Sequence, residues 1–412
     1  MRILYVTSEL PYPPDRGAAV RGYHLLRWLA PANEIVMLSL TEKRGQELDD
    51  AIAGLSELCR RIRAFPSRDL GALEEPFRAM RFAMSGVPID LRRFASSELA
   101  AAVEAEIAAG EPDVVALEHS SMMLYLSHVP ESLRARTVLL SHDVDFLKYW
   151  RLAQLESALA RRMRLRLHAA MLRRWEPRMA ERFGLFTTVS APDRDALLAL
   201  NPRVTVAVVP NGVDVAGLAQ LPAASPVQPA RLLFIGNLGY GPNIDAVAWL
   251  TRDIVPRIQQ RGYDVEVDVI GVGATDEVRR LASDSVRVLG SVPDVRPSYE
   301  AAAVSLVPLR AGGGTRLKIL EAMALGRPVV TTSIGCEGLE VEHGKHVLVA
   351  DDTETFATST IELLTNAGLR NRLVHAAREL VERRYDWRTI GADLVRLLTE
   401  LSNADRGVPA RA

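Results

Sequence analysis

Residues 304–331 read VSLVPLRAGGGTRLKILEAMALGRPVVT. A short apolar run, Val304–Val307, leads through Pro308 into three consecutive glycines at 312–314. From about Thr315 to Leu325 the apolar residues recur at helical spacing, and Gly326 and Pro328 then stop the helix. A second apolar run follows at Val329–Thr331. Strand, glycine loop, helix and strand in so short a span make a βαβ unit, whose two strands must be parallel.

The same alternation extends outward in both directions. In the first half, strands are expected at Ile3–Val6, Ile35–Leu40, Val114–Leu117, Val138–Leu140 and Leu185–Val189, with helical stretches such as Ala18–Leu29 and Ser96–Ala109 between them. In the second half they are expected at Val204–Val209, Leu232–Ile235, Val265–Ile270, Val286–Leu289, Val304–Val307, Val329–Thr331 and Val347–Val349. Apolar strands separated by helices predict an α/β fold with parallel sheets covered on both faces. A chain of 412 residues is too long for one ordinary core. The breaker-rich stretch LPAASPVQPA, residues 221–230, is the clearest linker. Two doubly wound domains are therefore expected, at 1–203 and 204–384, with a closing helix and tail over 385–412. Ligands of such sheets bind beyond the carboxyl ends of the strands, which places function in a cleft between the domains.

Composition narrows the classes further. The chain is 48% apolar and 25% charged, which is globular rather than disordered. Fifty basic side chains against 51 acidic ones exclude a dedicated nucleic-acid binder, which needs a basic excess. Cys59 and Cys336 cannot form a disulfide framework, and no Cys/His spacing suggests zinc. The N-terminus MRILYVTSEL runs directly into a strand pattern, and no apolar stretch approaches the ~18 residues of a membrane span. A cytoplasmic location is expected. The basic residues are 46 Arg and only four Lys, at 43, 148, 318 and 345.

Three strand–loop–helix junctions could carry phosphate chemistry. LPYPPDRGAAVR, residues 10–21, places Gly17 at a helix start after the first strand. IGNLGYGPNIDAVAWL, residues 235–250, is also Gly-rich, but its glycines do not match the dinucleotide order, nor does IGVG at 270–273. The third, at 312–321, is the strongest. Its glycines let backbone amides face an anion, and Arg316 and Lys318 stand at the helix start, where positive charge opposes the helix dipole. That local rule is broken where a site is expected. Glu321, three residues after Lys318, can share its helix face and accept hydrogen bonds from vicinal hydroxyls, as on a ribose.

Residues 307–350, together with VVPNGVD (208–214) and YDW (385–387), resemble the donor half of the family-4 (group 1) retaining glycosyltransferases. The phrase GGGTRLKILEAMA followed by GRPVV is similar to a subgroup serving bacterial exopolysaccharide assembly. The resemblance covers nearly the whole chain and implies two Rossmann-like domains facing a cleft, the GT-B fold. It implies a hexosyl-type transferase that takes a nucleotide diphosphate sugar donor and a saccharide or polyprenyl-diphosphate-linked saccharide acceptor. Neither a cofactor nor a metal is expected.

Residue by residue, the resemblance puts Glu321 on the ribose hydroxyls and Arg316 and Lys318 at the diphosphate. Gly17 matches the glycine loop that approaches the diphosphate from the other domain, and Gly290, Ser291 and Val292 fall near the base. Many members carry two glutamates eight positions apart, and the first would fall at Gly313. Many also carry an Arg and a Lys in the Gly-rich loop where this chain has Asn237 and Asn243. Arg316 and Lys318 are read as replacing that pair. Backbone amides at Gly313 or Gly314, beside Thr315, stand in for the missing glutamate.

On the acceptor side, DVVALEHSS (113–121) ends a strand at Glu118-His119, where the family often has a histidine. His119 is read as a catalytic residue that hydrogen-bonds a sugar hydroxyl or orients the acceptor, with His142 and Asp143 of SHDVDF (141–146) beside the acceptor. The D-x-D of Asp143 and Asp145 lacks any surrounding donor motif and predicts no metal.

The stretch 160–183 is set apart by eight Arg against two Glu between Arg161 and Arg182. Met163, Leu167, Met171, Trp175, Met179 and Phe183 repeat every fourth residue along it. It reads either as a solvated helix packed on its domain or as a basic amphipathic surface for anionic lipid. The second reading implies a peripheral position on the inner face of the plasma membrane. Pro177 predicts a kink or break. A nucleotide-sugar epimerase of similar fold, needing no second sugar, is the main alternative. A nicotinamide oxidoreductase and a lectin-like scaffold fit less well.

Overall fold

The computed structural model describes residues 1–15, 17–67, 86–156, 158–218, 220–222, 229–312 and 316–403. Gly313, Gly314 and Thr315 thus lie outside the described residues.

Thirteen strands form two all-parallel sheets among the described residues. The first comprises β1 (Arg2–Thr7), β2 (Glu34–Thr41), β3 (Arg61–Pro66), β4 (Val114–Glu118), β5 (Thr137–Leu140), β6 (Leu185–Thr188) and β7 (Val206–Val208). They lie in the order β3-β2-β1-β4-β5-β6-β7. The second comprises β8 (Ala230–Ile235), β9 (Val265–Ile270), β10 (Val286–Gly290), β11 (Val304–Val307), β12 (Val329–Thr331) and β13 (Leu348–Val349). Their order is β10-β9-β8-β11-β12-β13. In each sheet the winding reverses beside the first strand, between β1 and β4 and between β8 and β11. These are the switch points where doubly wound sheets open a crevice.

Central strands are apolar along most of their length because helices cover both faces. Ile3, Leu4, Tyr5 and Val6 of β1 are all buried, with Leu4 opposite Val36 on one side and Val115 on the other. In the second sheet, Leu232, Leu233 and Phe234 of β8 pack with Val267, Val269, Leu306, Leu320 and Met323 in one core. The helices start on ordinary caps. Ser96 accepts the Leu99 N–H at 3.2 Å, and Ser190 accepts the Asp193 N–H at 3.2 Å.

The chain divides into two units, Met1–Asn211 with Ile390 onward, and Gly212–Thr389. This moves the expected boundary at 203/204. The strand read at Val204–Val209 belongs to the first sheet, because Phe186, Thr187 and Thr188 of β6 pair with Val206, Ala207 and Val208. The last helix, Trp387–Asn403, also returns to the first unit rather than forming a separate closing segment from 385. Gly391 makes that return possible, since a Cβ there would come within 2.3 Å of the Trp28 ring.

Two consecutive helices of the first unit, Asp145–Leu155 and Leu159–Ala180, pack on each other. Glu176 of the second accepts the N–H groups of Asp145 and Phe146 at the start of the first, both at 3.2 Å. The longer helix runs on through Pro177 to Ala180, a few residues past the break expected there. Its buried face is His168, Ala169, Leu172, Glu176, Pro177 and Ala180, not the whole expected stripe. Met163 and Leu167 are 55% and 65% exposed, whereas Phe183 is buried.

Candidate active site

Both units bring their expected site residues to the carboxyl edges of their sheets. In the first unit the chain leaves β4 at Glu118, which is 1% exposed, and turns sharply at His119. His119 has φ +74°, the one positive φ outside glycine among the described residues. A side chain rarely adopts that backbone, so its neighbours must hold it there. They do so through the His119 N–H, donated to Leu140 O at 3.0 Å, and through its ring. That ring stacks on His142, with centroids 3.9 Å apart and planes 28° from parallel. His142 Nε2 lies 3.0 Å from Glu118 Oε1. Burial, then the neighbouring His142, pushes the His119 imidazole down to about 3. Burial, then the Arg21 and Lys148 charges, likewise pushes His142 well below its ordinary value. Both rings are therefore neutral at physiological pH.

Behind this pair, Arg21 of the helix Gly17–Leu29 is 1% exposed. It donates to Val209 O, Pro210 O and Asn211 Oδ1, each at 2.9 Å, in the last residues of the first unit. Gly22 is a glycine for contact reasons, because a Cβ there would stand 2.8 Å from Glu118 Oε1. Gly17, expected at a phosphate, is the exposed first residue of the same helix. Asp143 pairs with Lys148 at 3.1 Å, and Asp145 meets the same ammonium at 2.7 Å and bonds the Ser120 hydroxyl. One lysine is thus shared by both D-x-D carboxylates.

Two cavities meet at His119. One, of about 610 Å³, is lined by residues that follow β1, β2 and β4, including Glu9, Glu42 and Lys43. The other, of about 130 Å³, is shared by His119, His142, Asp143, Asp145 and Lys148. Arg93 and Phe94 border both.

In the second unit, Lys318 stands in the first turn of the helix Leu317–Ala324. Its Nζ lies 3.0 Å from Asn243 Oδ1 and 4.5 Å from the centre of the Phe234 ring. A Cβ on Gly236 would stand 2.8 Å from that ammonium, so the glycine loop after β8 leaves room for it. Asn243 in turn donates to Asn237 O at 2.8 Å. Arg316 is buried at the helix cap, with Gly312 (φ +127°) fitted against its guanidinium. Burial, then the Arg316 charge, pushes Lys318 down to about 7. Burial pushes Glu321 up to about 7 against the pull of Lys318. Glu321 Oε2 is 3.5 Å from the Tyr299 hydroxyl, which also donates to Lys318 O at 3.3 Å. Gly290 (φ +69°) ends the edge strand β10, where its carbonyl accepts from the Gly271 N–H at 2.8 Å, and Ser291 and Val292 follow it.

The arrangement matches the pattern of two family models, "Glycosyltransferase Family 4" over residues 16–216 and "Glycosyl transferases group 1" over residues 229–366. The chain belongs to the family-4, group 1 glycosyltransferases. The phosphatidyl-myo-inositol mannosyltransferase of Mycolicibacterium smegmatis is 31% identical over 205 residues, 48% of this chain and 52% of that protein. The chain spans about half the length of the curated relatives it matches. Two solved structures resemble the fold over nearly the whole chain. Sucrose-phosphate synthase from Thermosynechococcus elongatus has a TM-score of 0.70 at 16% identity, covering 98% of this chain and 100% of that one. Anabaena HepE in complex with UDP and glucose has a TM-score of 0.67 at 17% identity, covering 97% and 100%.

In this family-4 chain, Glu118, His119 and His142 bring one donor atom each within 4.8 Å of one another, a set that sequence spacing does not reveal. The set fits a hydrogen-bonded network better than a metal ion. Its rings are stacked face to face, Glu118 already occupies His142 Nε2, and the Arg21 and Lys148 charges oppose a further cation. Arg21, Lys148 and Tyr299 were not among the expected site residues. Arg21 carried the one available signal, a charge on the apolar face of its helix among Ala19, Gly22, Leu25 and Leu26.

Proposed function

We propose that this chain moves a hexose from a nucleotide diphosphate sugar to a saccharide or lipid-linked saccharide, with retention and without a metal, in bacterial exopolysaccharide or cell-surface glycan synthesis. One observation carries the reading: Lys318 Nζ lies against the glycine loop after β8, with Glu321 a turn away on the same short helix. A cation beside open backbone suits a departing diphosphate, and a neighbouring carboxylate suits ribose hydroxyls. In the reaction the anomeric carbon–phosphate oxygen bond breaks while the acceptor oxygen bonds the same face. The acceptor proton passes to the leaving phosphate oxygen, so no protein nucleophile is needed.

The acceptor side supports a neutral saccharide. Glu9, Glu42, Asp143 and Asp145 outnumber Lys43, Arg93 and Lys148 around the two cavities, and carboxylates accept hydroxyl hydrogen bonds while repelling phosphate. The printed name of the mycobacterial relative supports a lipid-linked acceptor. No described helix is long and apolar enough to cross a membrane. A peripheral seat on the inner leaflet is proposed through the Arg-rich helix Leu159–Ala180.

Thermal shift against UDP-, GDP-, ADP- and TDP-sugars identifies the donor. Transfer is then followed by NMR of the product anomer. The reading expects unchanged anomeric configuration, acceptor-dependent turnover and full activity in EDTA. Conversion of the donor sugar without acceptor would instead favour an epimerase.

A further inference from the structure

Sequence reading places His142 beside the acceptor, but the structure gives it a different setting. Its side chain is only 13% exposed and borders the smaller cavity, whereas His119 borders both. Its Nε2 meets Glu118, a buried carboxylate that can only accept. Burial, then the Arg21 and Lys148 charges, favour the neutral ring, and the 3.0 Å contact with Glu118 is the one an Nε2–H tautomer makes. One face of that fixed ring is covered by His119, whose backbone is in the left-handed region. We propose that His142 is a positioning residue that acts through His119: Glu118 locks the His142 ring, and the ring is the platform that holds His119 at its strained turn. The inference rests on the reading of His119 as a site residue.

The geometry explains why the two residues differ in kind. His119 turns its Nε2 toward open cavity, 3.9 Å from Glu9 Oε1, while His142 turns its Nε2 inward. The groups facing His142 are Glu118 at the end of β4, Arg21 from the helix Gly17–Leu29, and Lys148 and Asp145 from the helix after β5. All are side chains of the first unit, and Glu118 is the one hydrogen-bonded to it.

A residue that acts only through His119 should matter only while His119 is present. The test is a double-mutant cycle on the full chain, with turnover of UDP-glucose or GDP-mannose as the readout, whichever the protein accepts. His142→Ala is expected to lower kcat about tenfold in the parent and less than about twofold in the His119→Ala background. Donor KM should stay within about twofold, and His142→Phe, which keeps a flat ring, should recover most of the loss in kcat. Additive losses in the cycle, or an effect confined to KM, would overturn the proposal. A second arm needs no substrate. Long-range 1H–15N imidazole spectra of the parent should show His142 as the Nε2–H tautomer from pH 6 to 8, and an Nδ1–H tautomer or an imidazolium there would overturn the lock. That arm keeps a failure of the platform distinct from a failure of the transferase reading.

Discussion

Lys318 is held at a site that strains its charge. Burial and Arg316 push it down to about 7, and burial pushes its neighbour Glu321 up to about 7. The two groups set opposite limits on donor binding. Above pH 7 the free lysine is neutral, and a diphosphate must draw a proton onto it. Below pH 7 Glu321 is protonated, and ribose hydroxyls must displace that proton. Calorimetry of UDP binding in buffers of different ionisation enthalpy should therefore find net proton uptake at pH 8 and net release at pH 6, with tightest binding near 7. Uptake at both values would remove Glu321 from the ribose. Lys318→Ala is expected to lower kcat by about 10²-fold, with the melting temperature nearly unchanged. Turnover close to the parent's would exclude Lys318 from the leaving-group site. Lys318 and Glu321 were legible in the sequence because two cations at a helix start violate the dipole rule beside three glycines. Arg21 was not, since its partners Val209, Pro210 and Asn211 lie far along the chain and only folding brings them together.

At the level of elements, most strands could be read from apolar runs of four or more residues. β3, Arg61–Pro66, escaped because it is an edge strand with exposed Arg61, Arg63 and Pro66 and half-buried Ile62 and Ala64, leaving Phe65 as its one buried residue. The paired helices Asp145–Leu155 and Leu159–Ala180 show the reverse. The pattern of the longer one was visible, but not which part of it would stay uncovered, and the shorter one was not read. Leu159, Met163 and Leu167 are each more than half exposed, on a helix that also presents Arg161, Arg164, Arg166, Arg173, Arg174 and Arg178 to solvent, and Trp150 of the shorter helix is 50% exposed. A Met163→Gln, Leu167→Gln variant is expected to lose most of its co-sedimentation with vesicles of phosphatidylglycerol in phosphatidylcholine. The parent's binding should weaken from 50 to 500 mM salt. Equal binding to neutral and anionic vesicles would assign the Arg residues to solvation alone.

Over the whole molecule, the two parallel sheets followed from the alternation of strands and helices, while the boundary did not. A strand as short as Val206–Val208 declares its sheet only by its partner, β6. The final helix is likewise assigned by contact, with Gly391 against Trp28. Stopping the chain after Thr389 is expected to uncover that tryptophan's partner face and lower the melting transition of the first unit by several degrees. Calorimetry should show the second unit's transition unmoved; a shift of both together would mean the units melt as one.

That return has a consequence for biosynthesis. The second unit is continuous in sequence and is complete once Thr389 has emerged, whereas the first has its seven strands before Gly212 yet lacks its last helix until Asn403. The strands of the first sheet are made before the second unit, yet that sheet must wait through the making of the whole second unit before its final helix arrives. The unit whose sheet is made earlier is therefore the unit completed later.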